Sequence, residues 1–393
     1  MRRRAHYRSL VPCATKPAGS VSMKPSHLDA LADVIRVTDS GAIPERAALR
    51  AILDAPEDLD APLFEAAGRA LDRSSGRAVY LRGIVEFCNA CRKDCLYCGV
   101  RRGNTRVARY AIPFDEIVEA LEEGYRVGLR SFLLQSGEAL GDAHLALVER
   151  VLRWMKARWG DSVRPVLSIG ELPRETFRQL REAGGGRYLL RIETSDPELY
   201  ARLHPQDAHH RFEARVQALH DLRDTGWQVG TGVLIGVPWQ TPDHLAGDLL
   251  FMRRFDIDMC GMGPYIEHHD TPLWEAREQV PDVATRVRWT LRMIALQRLL
   301  LPDTNVSATT ALQTIHPQGL ELGLGAGANV FMPNLTPWKY RESYNLYEGK
   351  VRVADSLDSV LERMSARCAA LGRPVALGDP GDPVRFRTRQ PPP

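Results

Sequence analysis

Between residues 79 and 332 the chain passes eight times from a short β-branched run to an amphipathic stretch, and this alternation constrains its fold more than any other feature. The apolar runs predict strands over 79–87, 131–134, 166–169, 188–191, 229–235, 258–261, 305–308 and 329–332. Helical periodicity marks 114–128, 143–158, 174–183, 212–225, 242–254, 283–301 and 318–322 between and around them. Strands that alternate with helices in this way pair in parallel through right-handed crossovers, and eight such units can close on themselves. The expected class is α/β, a complete (β/α)8 TIM-type barrel in preference to an open six-strand partial barrel. Ahead of it, Leu28, Leu31, Ala32 and Ile35 recur at helical spacing, and two more helices read over 44–53 and 62–73, which predicts an N-terminal helical cap. The expected divisions are a loose extension over 1–24, the cap over 25–75, the barrel over 76–350, a C-terminal helical segment over 351–378 and a loose tail over 379–393. Met23 offers a second candidate start.

Seven cysteines are present, and four crowd into eleven residues as Cys88, Cys91, Cys95 and Cys98. The last three form C-x3-C-x2-C, directly after the first predicted strand. That spacing wraps three thiolates around one cubane 4Fe-4S cluster and leaves its fourth iron without a protein ligand, which suits iron that must bind a small molecule. In radical S-adenosylmethionine enzymes the open iron takes the amino and carboxylate groups of the methionine moiety. Three other readings compete. A structural zinc site would use all four thiols, but its two Cys pairs stand only three residues apart, against the usual roughly 12–20. A four-thiolate electron-transfer cluster spaces its cysteines differently. A disulfide framework fits poorly with an odd cysteine count in a long, 44% hydrophobic chain without a signal peptide. Cys88 reads most simply as a small buried residue on the strand, since a fourth ligand would close the iron.

Charge excludes several classes. There are 52 Lys and Arg against 49 Asp and Glu, a net +3 with both signs dispersed, so no footprint for nucleic acid emerges. No apolar stretch approaches the ~20 residues needed to span a membrane, and Arg2, Arg3 and Arg4 are not followed by a signal-type segment. A cytoplasmic protein is expected.

Barrel geometry gathers active-site residues at the C-terminal ends of the strands. S-adenosylmethionine carries an ammonium, a carboxylate, a sulfonium and a ribose, so its pocket calls for carboxylates and a guanidinium. Gly137 and Glu138 follow strand two and Glu193 ends strand four, where they can meet the cationic and hydroxyl groups. Arg215, early in the fourth helix, can pair with the carboxylate, although a lone Arg is as readily a solvated surface charge. Arg191, Thr309 and Thr310 make a small anion site suited to a substrate carboxylate, with a helix cap as the equal alternative for the threonines. Met259, Met332 and Tyr344 are candidates for the chamber lining, where methionine also serves as core filler.

Several segments resemble one family: IVEFCNACRKDCLYCGVRR at 84–102, QSGE at 135–138, RYLLRIET at 187–194, ATTA at 308–311, GANVFMPNLTP at 327–337 and YNLYEGK at 344–350. Together they resemble the HydE family of FeFe-hydrogenase maturases, over about residues 80–350. Biotin synthase shares the barrel but has a different fourth-strand segment, and methylornithine synthase lacks much of the C-terminal match. The resemblance implies that Cys91, Cys95 and Cys98 hold the cluster and that Glu193 and Arg215 contact S-adenosylmethionine. It further implies that the barrel accepts a small organometallic substrate, a cysteine-bound iron carbonyl cyanide unit from a partner maturase, with radical attack at the cysteine sulfur and electrons from a separate donor. Departures are visible. Many members bind a second cluster through three cysteines after this last segment, whereas 351–366 contains none, so no second cluster is expected. Cys88 stands where the family usually has Ser, and Trp239 interrupts a loop that normally reads Gly-Leu-Pro-Gly-Gln-Thr, where it would narrow the mouth. A HydE-like paralogue acting on another small amino-acid-type substrate, as a methylornithine synthase-like mutase would, and a non-catalytic iron–sulfur carrier are the alternatives.

Overall fold

The computed structural model describes residues 25–139, 141–350 and 355–389, so the expectations for 1–24 and for 351–354 lie outside the described residues. Seven strands form one parallel sheet in chain order: Gly83–Cys88, Ser131–Ser136, Arg164–Ser168, Arg187–Leu189, Gln228–Thr231, Met259–Cys260 and Asn305–Val306. Each strand pairs with the next, as helices on one face require. Such strands are covered on both sides, which is why Phe132, Leu133 and Leu134 are all at most 1% exposed. Leu133, Val166 and Met259 form a small cluster, with Ile84 and Met332 against it, apart from the main core.

The predicted first strand divides at Arg82. Its upper part begins the large sheet, while Val79–Leu81 pairs with Val330–Phe331 and Val375–Ala376 in a second, three-stranded sheet. Isolated bridges link Ser307 to Val330 and Ile84 to Asn334, so the segment around 330–334 touches both edges of the large sheet. The curled seven-stranded sheet is therefore an α/β, TIM-like arrangement. Three α-helices within the barrel segment escaped sequence reading: Pro197–Leu203, Thr310–Ile315 and Trp338–Arg341. They are one to two turns long, too short for a periodic signal.

Helices Pro25–Asp39, Arg46–Asp54 and Asp60–Ser74 pack against Pro242–Phe255 and Val283–Leu300. One side chain ties them. The buried Arg292 guanidinium donates to the carbonyls of Ile52, Leu53, Ala55 and Pro56 and to the Asp60 carboxylate, satisfying the free carbonyl end of the second helix. No helix among the described residues is long and apolar enough to cross a membrane.

The tail was expected to be loose from 379, and through 389 the structure places it otherwise. Asp382 accepts from Arg187 and Gln228 at 2.8 and 2.9 Å and pairs with Arg164 at 3.2 Å. Arg187 is fully buried and also donates to Ser131 Oγ and the Pro380 carbonyl. Asn305 donates to the Gly381 carbonyl, and Arg385 pairs with Asp303 at 2.8 Å. Polar pairing rather than apolar periodicity docks this segment, so a pattern search cannot find it. Asp382→Ala leaves a buried guanidinium without its carboxylate, a change that costs on the order of 3–5 kcal/mol. The expected result is a clearly lower urea midpoint, and an unchanged midpoint would show that the tail stands outside the cooperative unit.

Candidate active site

The loop after strand Gly83–Cys88 is held by backbone contacts from its neighbours. Gly137 N–H donates to the Cys88 carbonyl, Arg92 N–H to the Glu138 carbonyl, Leu96 N–H to Leu203 and Leu273 N–H to Leu96. A Cβ on Gly137 would collide with the Ala90 carbonyl, so only glycine lets the two loops approach this closely. Cys91, Cys95 and Cys98 line one cavity of about 310 Å³, and none is in a disulfide. Burial pushes the Cys95 thiol up to about 12 and Cys98 upward as well, so these thiols give up their protons only to a strong Lewis acid. The Glu138 N–H lies 3.3 Å from Cys91 Sγ. Three unpaired thiols on a cradle that only glycine fits suit a three-thiolate cluster.

Gly137, Glu138, Glu193, Arg215, Arg191, Thr309, Thr310, Met332 and Tyr344 line the same cavity. Glu193 adopts φ +66, a conformation that costs a side-chain-bearing residue roughly 1–3 kcal/mol and tends to persist at functional sites. Burial raises its pKa, with Arg191 and Arg215 pulling the other way, and Arg191 pairs with it at 3.0 Å. Burial opposes the charge on Arg215, yet Glu171 at 2.5 Å holds its pKa well above the ordinary value. Arg215 is thus an interior cation rather than a solvated one. Thr309 precedes helix Thr310–Ile315 but makes no side-chain cap. Its buried hydroxyl, the Arg191 Nε and the hydroxyl of Tyr265, another lining residue, have no hydrogen-bond partner among the described residues, which leaves unsatisfied polar groups on the residues of the cavity wall. Tyr344 receives a bond from Gln135 at 3.2 Å.

Some expectations shift. Met259 is 2% exposed, packs with Leu133 and Val166 and does not line the cavity. Trp239 does not line the cavity either. It sits at φ +67 in a separate apolar cluster with Leu199, Leu203, Val237, Tyr265 and Leu273, which also packs Leu96 and Tyr97. It therefore backs the cysteine loop from outside and does not narrow the mouth. The Glu138 carboxylate is committed to protein, accepting from Arg92 at 2.7 Å and from the Glu171 N–H at 2.8 Å. Cys88 is buried and outside the cavity lining, as the simple reading of it has it.

Sequence reasoning missed several charges. Lys93, 3% exposed, pairs with Glu171 at 2.9 Å. Glu86 and Lys350 form a buried ion pair on the cavity wall, and Lys350 also donates to the Tyr344 carbonyl at 3.1 Å. Their partners lie 78 and 264 residues away in sequence, so no local signal exists. His268, His269 and Glu348 bring potential ligand atoms within 4.8 Å of one another. The His268 Nδ1 already accepts from Asp270 N–H at 3.1 Å and His269 forms an ion pair with Glu348, so this group reads as a stitch between two loops.

Comparison with known proteins agrees with this geometry. The Radical SAM superfamily profile matches residues 85–252. The chain is 42% identical over 314 residues to the [FeFe] hydrogenase maturase subunit HydE of Thermotoga maritima, covering 79% of this chain and 86% of that one. It is 27% identical over 321 residues to the 3-methylornithine synthase of Methanosarcina barkeri, covering 79% and 85%. Among solved structures, methylornithine synthase (PylB) superposes with a TM-score of 0.73 at 23% identity over 88% of this chain and 98% of that one, a likeness of fold.

Behind Glu193, the fully buried Asp248 carboxylate accepts from Ser195 N–H and Oγ at 2.5 and 2.7 Å and fixes the turn after the strained residue. Burial raises its pKa to about 7, against the hydrogen bonds that lower it. The native state therefore holds a proton that the unfolded chain releases between the ordinary carboxylate range and about 7, and stability falls as pH rises through that window. Asp248→Asn is expected to flatten this slope in urea unfolding series run from pH 4.5 to 7.5, and an unchanged slope would assign it to other groups.

Proposed function

This chain belongs to the HydE family of [FeFe]-hydrogenase maturases and is a radical S-adenosylmethionine enzyme, and from that premise we propose that it acts on a small organometallic substrate, a cysteine-bound iron carbonyl cyanide unit. The observation that carries the reading is the convergence of three unpaired cysteines, unpartnered polar donors and a strained, buried carboxylate on one cavity.

Cys91, Cys95 and Cys98 would hold a single 4Fe-4S cluster, and Gly137, Glu138, Glu193 and Arg215 would line the S-adenosylmethionine site. When bound, the reduced cluster would supply one electron to the sulfonium–carbon bond of S-adenosylmethionine, giving methionine and a 5′-deoxyadenosyl radical. Everything else falls to the chain. Arg215, held charged by Glu171, meets the methionine carboxylate. Glu193 meets the ribose and ammonium end, where a buried acid paired with Arg191 and in the field of Arg215 orients polar groups without reorganising. Its strain is borne by the fold, in part through Asp248. Arg191 Nε and Thr309 Oγ1, both unpartnered donors, take the carboxylate of the substrate's cysteine, with Thr310, Met332 and Tyr344 alongside.

The walls keep water out. The bridges at Ser307 and Ile84 support closure of the sheet into a complete eight-strand barrel through the 330–334 segment. Segment 344–350 lies over the mouth, with the Gly99 N–H donating to the Leu346 carbonyl. Met259, placed beneath the cavity, belongs to the filler of the barrel rather than to substrate contact. The absence of cysteine between 351 and 366 supports one cluster rather than two. A cytoplasmic location, with partner maturases delivering and receiving the unit, completes the proposal.

Anaerobic reconstitution followed by dithionite and S-adenosylmethionine is expected to give about four irons per chain together with 5′-deoxyadenosine and methionine. Cys95→Ala abolishes both products, whereas Cys88→Ser retains them; cleavage surviving in the first variant would overturn the ligand assignment. Binding of a cysteine-derived iron carbonyl cyanide unit should weaken at least tenfold in Thr309→Val with S-adenosylmethionine affinity unchanged. Equal affinity of the variant would remove the substrate assignment while leaving the cofactor assignment standing.

A further inference from the structure

Three hydrogen-bond donors of the cysteine loop, all between Asp94 and Tyr97, end on a single segment, 203–210. Leu96 N–H donates to the Leu203 carbonyl at 3.0 Å, Asp94 N–H donates to His210 Nε2 at 2.8 Å, and the Tyr97 hydroxyl lies 3.4 Å from His204 Nε2. Both imidazoles are buried, His204 at 1% and His210 at 5% exposed. Each is oriented by its other nitrogen: His204 Nδ1 is 2.9 Å from the Tyr200 carbonyl and His210 Nδ1 is 2.7 Å from the Asp207 carboxylate. Such oxygens only accept, so Nδ1 carries the proton in both rings and Nε2 faces the loop as an acceptor. Burial pushes the His204 pKa down to about 3, against the bond to Tyr200, so this ring stays neutral. It stacks on Tyr200 with centroids 3.9 Å apart, and Tyr97 meets it edge-on at 5.4 Å.

The consequence falls on Cys95. Cys91 takes hydrogen bonds from the N–H groups of Glu138 and Lys93, and Cys98 takes one from Val100. At Cys95 the hydrogen-bonding group is a side chain, the hydroxyl of Tyr97. A phenol has one proton to give. When His204 Nε2 takes it, the sulfur of Cys95 goes without. Hydrogen bonds to ligating sulfurs stabilise the added charge of a reduced cluster and raise its potential, so a donor turned away leaves the cluster a stronger reductant. Groups one layer out from a metal tune it in this way without touching it.

We propose that His204 is a positioning residue that claims the Tyr97 hydroxyl proton, withholds a hydrogen bond from the Cys95 thiolate and so keeps the cluster strongly reducing. The inference rests on the reading of Cys91, Cys95 and Cys98 as cluster ligands. A thiolate that shares its charge with iron is the weaker acceptor of the two, which favours the imidazole. His210 anchors the residue that precedes Cys95, so one segment fixes both the sulfur and the hydroxyl.

The test is a redox titration of the reconstituted holoenzyme, followed by the electron paramagnetic resonance of the reduced cluster with no S-adenosylmethionine added. His204→Phe keeps a ring against Tyr200 and removes the acceptor. At the wild-type midpoint its reduced-to-oxidised ratio is expected to rise about tenfold. His204→Gln, which offers a carbonyl oxygen in place of Nε2, and the double variant His204→Phe/Tyr97→Phe are expected to stay within about twofold of wild type. No rise in His204→Phe overturns the proposal, and so does a rise that persists in the double variant, because loosened packing would outlast the hydroxyl. If His204→Phe fails to hold about four irons, wild type and Tyr97→Phe decide the matter. After exchange into deuterium oxide, the electron–nuclear double resonance spectra of their reduced clusters are expected to coincide, and a deuteron coupling present only in wild type would place the hydroxyl on sulfur and overturn the proposal. A wild-type preparation without a paramagnetic four-iron cluster sinks the cluster reading itself, and this inference with it.

Discussion

The site depends on one buried carboxylate, that of Glu138. It sits in the loop after the second strand, accepts from Arg92 in the loop after the first and from the Glu171 N–H in the loop after the third, and so locks three successive loops together. A carboxylate 4% exposed is costly to bury alone, and two nearby cations, Arg92 at 2.7 Å and Lys93 at 3.7 Å, offset that cost. Gly170 makes room for it, since a Cβ at that position would collide with the Glu138 side chain and φ there is +93. Remove the carboxylate, and the cysteine loop loses the partner that sets its distance from the rest of the mouth.

From that clasp the charges run in pairs. Glu171 is shared by Lys93 and Arg215, Glu193 by Arg191, and Glu86 by Lys350. Interior ion pairs of this kind are weak evidence for stability, because desolvation cancels much of their attraction. Their value lies in orientation. Each polar group on the wall is held before any ligand arrives, so binding does not have to order it. Donors left over among the lining residues, Arg191 Nε, Thr309 Oγ1 and the Tyr265 hydroxyl, are ones a substrate can satisfy.

Both ends of the barrel are finished by segments that come late in the chain. At the mouth, 344–350 is stitched to the cysteine loop through Gly99 and to the loop at 267–269 through Glu348. At the opposite end, Asp382 reaches the fully buried Arg187 and Gln228 on two adjacent strands. Neither contact is apolar, and each depends on strands already in place to present its partner. Polar clasps thus close the sheet at both ends.

Alternation of short apolar runs with period-3.6 stretches sufficed to place the strands of the large sheet, because a strand covered on both faces reads as a near-continuous apolar run. The C-x3-C-x2-C spacing likewise reveals its chemistry locally, since three thiolates on one short loop can meet around a single cluster without help from distant residues. Glu193 and Arg191 were readable because they end a strand, where barrel topology alone sends them to the mouth. Met259 and Trp239 were misplaced because facing depends on register and on which cluster claims the side chain, and neither leaves a mark in composition. Lys93 and the Glu86–Lys350 pair stayed hidden for a related reason: a charge becomes an interior group only when a partner from another strand or loop neutralises it. Local pattern therefore determined the sheet and the candidate cluster cysteines, while long-range electrostatic pairing, which exists only once the sheet has curled, decided how the cavity wall is charged and what holds its ends shut.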